Sequence, residues 1–237
     1  MYQFVLFDLD QTLLLRSPSL VERIYALFAP LQPGLNRETV DRAYAESEFW
    51  QGEQIRKENE TGVRLSDAEY LEGLLAVYRR FLPVEKMRSQ FVALFIDQMS
   101  GQYQLLPGRR ELLEALQRCG ITMGIVSNNR SSVREDLHRL DIENYFACVI
   151  LSEEVELYKP DSQILTVACH QLKMDPNEGI YVGDHPFDVV CAHGAGMAAL
   201  WIPPNPFFRL PEGTKPPECS ASTWTQVWNM LVPGASL

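Results

Sequence analysis

Residues 2–14 read YQFVLFDLDQTLL and change from apolar to acidic at Asp8. The first six residues, YQFVLF, form a short apolar run rich in aromatic residues, which is typical of a strand buried on both faces. Asp8 ends this run, and Asp10 follows two residues later. Because strands buried on both faces occur in parallel sheets covered by helices, the stretch predicts an α/β fold.

The chain beyond residue 107 alternates between the two kinds of secondary structure. Helices are predicted over about 109–118, 131–139 and 161–172, with a last one near 223–231. Strands are predicted at ITMGIV (121–126), ACVIL (147–151), GIYVG (179–183) and ALWI (199–202), and the proline-rich stretch 203–217 reads as an irregular loop. Strands that alternate with helices of this length imply right-handed βαβ units and a parallel sheet with helices on both faces.

The region from about 18 to 102 has a helical pattern throughout. Ser66 and Glu69 have the spacing of a capping box, and Asn36 is a plausible N-cap for another helix. Pro83 favours the start of a helix over 84–99, and the polar stretch 51–64 is typical of an exposed tip or helix end. We therefore expect an all-helical insertion within the α/β fold.

Composition limits the classes of partner. The chain has 237 residues, 46% hydrophobic and 22% charged, which is ordinary for a folded protein. Its formal net charge of −10 opposes attraction to nucleic acid and to anionic membrane surfaces. The five cysteines include no C-x-x-C pair, the N-terminus has no signal-peptide pattern, and no apolar run approaches the roughly 18 residues of a membrane span. We expect a cytoplasmic protein whose partner is a small molecule.

Polar residues follow three of the predicted strands. Asp8 and Asp10 follow the first strand, and Lys159 lies in the loop after ACVIL. Ser127 and Asn128 follow the strand ITMGIV, and Asp184 and Asp188 follow the strand GIYVG. Because ligands bind at the carboxyl ends of strands in open α/β sheets, these side chains should converge on one pocket.

Several carboxylates in one cleft repel each other unless some are protonated or a divalent cation is present. Ligands that are all oxygen indicate Mg²⁺, which usually leaves coordination positions for phosphate oxygens. In such a site a carboxylate can attack phosphorus and form an aspartyl-phosphate, and a second carboxyl can protonate the leaving group. Lys159 and Ser127 would then neutralise charge on the phosphoryl oxygens.

Four segments together resemble the motifs of the haloacid dehalogenase-like (HAD) hydrolase superfamily, in the same order. They are DLDQTLL (8–14), VSNN (126–129), YKPD (158–161) and VGDHPFDV (182–189). The resemblance covers residues 2 to about 202, and the helical insertion is similar to the type-1 cap of that superfamily. It implies a Rossmann-like catalytic core over 1–15 and 104–237, with a helical cap over 16–103.

The resemblance also implies roles for individual residues. Asp8 would be the nucleophile and Asp10 the general acid and base. Phosphate contacts would come from Ser127, Asn128 and Lys159. The implied magnesium ligands are Asp8, Asp10 through its carbonyl, Asp184 and Asp188, although Asp188 could instead hold Lys159.

The predicted activity is a Mg²⁺-dependent phosphatase that acts on a small phosphorylated metabolite. Asp10 disfavours dehalogenation, because true dehalogenases of the superfamily that this chain resembles carry a non-acidic residue at the matching position. Gln11 departs from the glycine or asparagine that usually follows the acid/base aspartate. A sugar phosphomutase and a non-catalytic binding protein on the same fold remain open alternatives. For several polar residues near the motifs a structural role is commoner than a catalytic one. We leave these outside the predicted catalytic set: His185, Asn129, Arg16, Arg109, Arg110 and Arg130.

Overall fold

The structure is a computed structural model that describes residues 2–96, 102–232 and 234. The described part of the chain divides into two compact units. The first lies within Met1–Leu15, Gln104–Pro204 and Leu210–Leu237, and the second within Arg16–Tyr103 and Asn205–Arg209. The sequence analysis assigned the segment 205–209 to the catalytic core, whereas here it groups with the second unit. The roles of core and cap stay predictions.

The strands are β1 (Phe4–Phe7), β2 (Leu14–Ser17), β3 (Gln102–Leu105), β4 (Thr122–Ser127), β5 (Cys148–Leu151), β6 (Gly179–Gly183), β7 (Ala198–Trp201) and β8 (Cys219–Ser220). The helices are α1 (Leu20–Phe28), α2 (Arg37–Thr61), α3 (Asp67–Arg79), α4 (Arg88–Ile96), α5 (Arg109–Arg118), α6 (Val133–Arg139), α7 (Ser152–Val155), α8 (Gln163–Leu172), α9 (Pro186–Gly194) and α10 (Trp224–Leu231). Among these described helices, none combines the length and the apolar character needed to cross a membrane.

A parallel sheet forms the first unit. Its strands follow the order β5-β4-β1-β6-β7-β8, and β2 pairs with β3 in a separate two-stranded sheet. β1 is central: Phe7 lies beside Ile125 of β4 on one side and beside Val182 of β6 on the other. All four residues of β1 are buried, as the apolar run predicts. The α/β class and the parallel sheet are therefore confirmed.

The predicted elements of the first unit occur within a few residues of their expected bounds, and residues 203–217 form an irregular loop. The elements α7, α9 and β8 were not predicted, and neither were the paired strands β2 and β3 or the short 3-10 turns. α9 begins with a proline at its first turn and is capped by His185 and Asp188, a capping role that was predicted for neither residue. All five cysteines are free thiols, which agrees with the lack of a paired spacing.

Helices α1 to α4 make up most of the second unit. Ser66 and Glu69 form the predicted capping box of α3, and Asn36 caps α2 by accepting the Thr39 N–H at 2.9 Å. The stretch 51–64 is mostly the last turns of α2, which ends at Gly62 in the left-handed conformation. An edge-to-face pair between Tyr78 and Phe91, with ring centres 5.0 Å apart, joins α3 to α4 in the core.

The helix predicted over 84–99 differs from the structure. Val84–Met87 is a 3-10 turn, and α4 begins only at Arg88. The Lys86 N–H donates to the Pro83 carbonyl at 3.0 Å, which closes the tighter i to i+3 turn instead of the α-helical one. Residues 97–99 of the predicted helix lie outside the described residues.

The segment 205–209 packs on α2. The Arg209 guanidinium pairs with Glu46 and lies over the Phe49 ring, 4.2 Å from its centre. Phe208 makes an edge-to-face contact with Tyr44, with ring centres 6.1 Å apart. These aromatic and charged contacts explain why this piece of a loop groups with the helical unit.

Candidate active site

Three neighbouring strands place the acidic residues and the serine at one edge of the sheet. Asp8 follows β1, Ser127 is the last residue of β4, and Asp184 follows β6. Since β1 lies between β4 and β6, these three side chains stand at adjacent strand ends. The Ser127 hydroxyl donates to Asp8 Oδ1 at 3.1 Å, and both side chains are buried. The predicted convergence of these residues is present in the structure.

Lys159 reaches the same place from the loop between α7 and α8. Its ammonium group donates to Asp8 Oδ1 at 2.6 Å, to Asp188 Oδ1 at 2.7 Å and to the Tyr181 hydroxyl at 2.8 Å. An ammonium has three N–H donors, so these acceptors use all of them. Lys159 is buried together with both carboxylates, and we call Asp8, Lys159 and Asp188 the ion cluster.

Asn128 holds the main chain of Lys159. Its side-chain Nδ2 donates to the Lys159 carbonyl at 2.9 Å, and its Oδ1 accepts the Lys159 N–H at 2.8 Å. The side chain of Asn128 therefore fixes the loop that carries the lysine. Its predicted contact with phosphate stays a prediction.

Tyr181 is a functional candidate that the sequence analysis missed. Its side chain is 1% exposed, and its hydroxyl donates to the Val126 carbonyl at 2.7 Å while it accepts from Lys159. β1 separates β6, which carries Tyr181, from β4, which carries Val126. A tyrosine inside a strand is usually a core residue, so local sequence held no signal for this contact.

Burial and the neighbouring charges shift the pKa values of groups in the ion cluster. Burial raises the pKa of Asp8; the Lys159 charge opposes this shift and the Asp188 charge adds to it. Burial by itself would lower the pKa of Lys159, but the carboxylates of Asp188 and Asp8 outweigh it and raise that pKa well above its ordinary value. Lys159 is therefore a cation held between two carboxyl groups.

Asp8, Asp184 and Asp188 can each offer one carboxylate oxygen to a common centre, with these oxygens within 4.8 Å of one another. The Asp184 carboxyl accepts from the Thr12 hydroxyl at 3.3 Å and from Gln11 Nε2 at 3.4 Å. A buried set of carboxyl oxygen donors suits a divalent cation such as Mg²⁺. The donor set therefore fits the predicted metal.

The Asp10 carboxyl has a different environment. Its Oδ2 accepts from Asn129 Nδ2 at 2.8 Å, and among the described residues the metal-type group of carboxylates does not include it. Asp10 is also less buried than Asp8. A carboxyl that is free of the metal-type group can exchange a proton with a reacting group, as a general acid and base must.

Gln11 adopts a left-handed backbone conformation, with φ of 58°. Its N–H donates to the Leu14 carbonyl at 2.7 Å, which closes the loop after β1. Glycine and asparagine enter this conformation at little cost, which gives a physical reason for their use at this position in similar proteins. Here the glutamine side chain gains a contact with Asp184 that glycine could not make.

The residues left outside the predicted catalytic set have structural contacts. His185 caps α9, and its Nδ1 accepts the Phe187 N–H at 3.3 Å. Arg109 donates from Nε to the Thr12 carbonyl at 3.0 Å and lies over the Trp224 ring, and burial lowers its pKa to about 10. Arg110 donates to the carbonyls that follow α6.

Comparisons with known proteins agree with this geometry. A Xenopus laevis protein named haloacid dehalogenase-like hydrolase domain-containing protein 3 is 30% identical over 115 residues, which cover 46% of this chain and 47% of that protein. The chain thus spans about half the length of that relative. A glyceraldehyde 3-phosphate phosphatase from Methanopyrus kandleri is 28% identical over 207 residues, covering 85% of this chain and 84% of the relative.

A solved structure supports the fold. The crystal structure of a HAD phosphatase from Thermococcus onnurineus aligns with a TM-score of 0.55 and 22% identity, and the alignment covers 97% of each chain. The model of the haloacid dehalogenase-like hydrolases matches residues 5–202, which include all four motifs, so the predicted superfamily is confirmed. The chain belongs to the haloacid dehalogenase-like hydrolase family.

Proposed function

We propose that this protein is a Mg²⁺-dependent phosphatase that hydrolyses a small phosphomonoester through an aspartyl-phosphate on Asp8. The observation that carries the proposal is the buried ion cluster at the carboxyl edge of the sheet. Lys159 Nζ lies 2.6 Å from Asp8 Oδ1, beside the Asp184 carboxylate. A nucleophilic carboxylate next to a fixed cation and a metal-type group of oxygens is the arrangement that phosphoryl transfer requires.

Magnesium would be held by Asp8, Asp184 and the main-chain carbonyl of Asp10, with Asp188 either a further ligand or the partner of Lys159 alone. When bound, the ion supplies positive charge that offsets the charge of the phosphoryl group. The close contact of Asp188 with Lys159, at 2.7 Å, supports its role as the partner of the lysine.

The chain's own residues account for both half-reactions. In the first, Asp8 attacks phosphorus, the bond from phosphorus to the leaving oxygen breaks, and Asp10 gives its proton to that oxygen. In the second, Asp10 takes a proton from water, the water oxygen bonds to phosphorus, and the bond to Asp8 breaks. Lys159 and the Ser127 hydroxyl, which contact Asp8, would stabilise the phosphoryl oxygens in each transfer.

The substrate class rests on the relatives. The Methanopyrus kandleri protein is named for a small three-carbon phosphate ester, and it aligns over 84% of its length. This relationship supports a small phosphorylated metabolite as the substrate of our chain. Three further expectations of the sequence analysis stay predictions: no nucleic-acid partner, no membrane partner and a cytoplasmic location.

The first experiment measures phosphate release from p-nitrophenyl phosphate by the wild type and by Asp8→Asn, each with Mg²⁺ and with EDTA. We expect turnover that requires Mg²⁺ and that Asp8→Asn abolishes, because an amide cannot form the acyl phosphate. Asp136→Asn is the matched control, since Asp136 lies on α6 and pairs with Arg139. It should keep wild-type activity.

Each alternative predicts another result. A sugar phosphomutase would move phosphate between two positions of a sugar phosphate without releasing it, which phosphorus NMR distinguishes. A non-catalytic binding protein would show no turnover of any ester in a panel of phosphorylated metabolites. Turnover that persists in Asp8→Asn would refute the aspartyl-phosphate mechanism.

A further inference from the structure

Asn129 lies two residues beyond the end of β4, and its side chain contacts the proposed acid/base residue. It is 9% exposed, and its Nδ2 donates to Asp10 Oδ2 at 2.8 Å. The two residues are 119 positions apart in the sequence, so the contact is a product of the sheet order. Neither the four motifs nor the relatives' names assign a role to this side chain.

The orientation of the Asn129 amide is fixed by a second hydrogen bond. The main-chain N–H of Arg130 donates to Asn129 Oδ1 at 3.0 Å. Only the amide oxygen can accept that hydrogen, so the NH₂ group must face Asp10. The Asn129 atom that contacts Asp10 is therefore the amide nitrogen, which donates to the carboxyl.

The main chain of Asn129 is held independently of its side chain. Its N–H donates to the Ser127 carbonyl at 2.9 Å, and its carbonyl accepts from the Glu153 N–H and from the Ser152 hydroxyl, both at 3.3 Å. These bonds use main-chain atoms of Asn129, so a change of its side chain other than to proline removes none of their donors or acceptors. A substitution at position 129 can thus remove the amide donor while the loop stays anchored.

We propose that Asn129 is a positioning residue that orients the Asp10 carboxyl, so that Oδ1 is the oxygen that carries and transfers the proton. The carbonyl oxygen of a carboxylic acid is a better acceptor than its hydroxyl oxygen, so the amide donor on Oδ2 directs the acidic hydrogen to Oδ1. In the first half-reaction that hydrogen passes from Oδ1 to the leaving oxygen. In the second, Oδ1 takes the hydrogen from water. This inference rests on the proposed phosphatase function.

The leaving group tests this inference, because a general acid matters most when the leaving group is a poor one. p-Nitrophenolate leaves readily without a proton, whereas an alkoxide does not. The experiment compares kcat/KM for p-nitrophenyl phosphate and for ethyl phosphate in the wild type and in Asn129→Ala. kcat/KM reports the first phosphoryl transfer, in which Asp10 donates the proton.

We expect Asn129→Ala to reduce kcat/KM for ethyl phosphate at least about 10-fold more than for p-nitrophenyl phosphate, since general acid catalysis contributes roughly 10²- to 10⁴-fold. A purely structural role would reduce both values by the same factor. The same factor for both esters would overturn the inference.

A double-variant cycle tests whether Asn129 acts through Asp10. Asp10→Ala should show the stronger preference for p-nitrophenyl phosphate, and Asn129→Ala should add no further loss in the Asp10→Ala background. An additional, independent loss in the double variant would overturn the inference. Asn129→Leu serves as a second variant of similar size: it lacks the donor, introduces no charge beside Asp10, and should show the same selective loss.

Failure of the proposed function would look different. A wild type that hydrolyses neither ester, or whose turnover does not depend on Asp8, would refute the phosphatase assignment and with it this inference. A wild type with Asp8-dependent turnover of both esters, combined with an unselective Asn129→Ala, would refute only the role of Asn129.

Discussion

The first unit buries one set of ion-paired side chains, whereas the described ion pairs of the second unit reach the surface. In the first unit, Lys159 and Asp8 pair with side chains only 8% and 7% exposed. In the second unit, Arg79 and Glu72 pair with side chains 36% and 51% exposed. The second unit carries further exposed pairs of this kind along α2, such as Arg56 with Glu60 and Arg37 with Asp41.

Exposure to water decides what such a pair can do. Water screens exposed pairs, and holding two long side chains together costs entropy, so these pairs add little to stability. Buried charges have lost their water, so each depends on its partners and acts strongly on any charge that forms nearby. The same residue types therefore form exposed surface pairs in the second unit and, at Lys159 and its partners, the candidate active site in the first.

Lys159→Met gives the largest expected contrast, because it removes the only cation of the ion cluster. We expect kcat/KM for p-nitrophenyl phosphate to fall by roughly 10²- to 10³-fold, as when a preorganised donor to a developing charge is lost. The unpaired carboxylates should also lower the free energy of unfolding by about 3–5 kcal/mol in EDTA, measured by urea titration.

Lys57→Met makes the same chemical change on the exposed surface of α2. It should leave both the turnover and the urea midpoint close to the wild-type values. Equal effects of the two substitutions would refute the contrast between the units.

Gly183→Ala tests the geometry of the ion cluster without removing a charge. An alanine Cβ at position 183 would lie 2.6 Å from Asp188 Cγ, so the Asp188 side chain, which pairs with Lys159, must shift. We expect kcat/KM to fall by roughly 10²-fold, the cost of misplacing a catalytic group by about 1 Å.

Gly73→Ala is the matched change in the second unit. Its Cβ would lie 2.7 Å from Trp50 Cη2, which forces the indole to repack. We expect a lower urea midpoint with turnover per folded molecule retained. A loss of turnover as large as that of Gly183→Ala would mean that a packing error in either unit is enough to reduce turnover.

Glu72→Gln has the smallest expected effect. Glu72 accepts from Arg79 at 3.1 Å and also pairs with Arg88, all on the exposed surface of the second unit. We expect no measurable change in the urea midpoint or in turnover, because water solvates the arginines once the pairs are lost. A drop in the urea midpoint comparable to that of Lys159→Met would show that exposure does not decide the strength of these pairs.

Much of the secondary structure in both units was predictable from local pattern. The strand GIYVG has its predicted bounds, and the Ser66 capping box begins a helix as its spacing indicates. Burial on both faces requires apolar residues, and helix caps require particular side chains, so both leave a signal within a few residues. The turn at Val84–Met87 was missed because Pro83 permits both an α-helix and a tighter turn after it.

From the sequence alone it could be predicted that Asp8, Ser127, Lys159 and Asp184 lie close together, because the ends of parallel strands meet at one edge of a sheet. Only the tertiary structure decided which groups hold them. The Tyr181 hydroxyl reaches Lys159 and Val126 across β1, and the Asn129 amide reaches Asp10 from 119 positions away. These contacts depend on the strand order β4-β1-β6 and on side-chain orientations set by packing, and a local pattern of residues encodes neither.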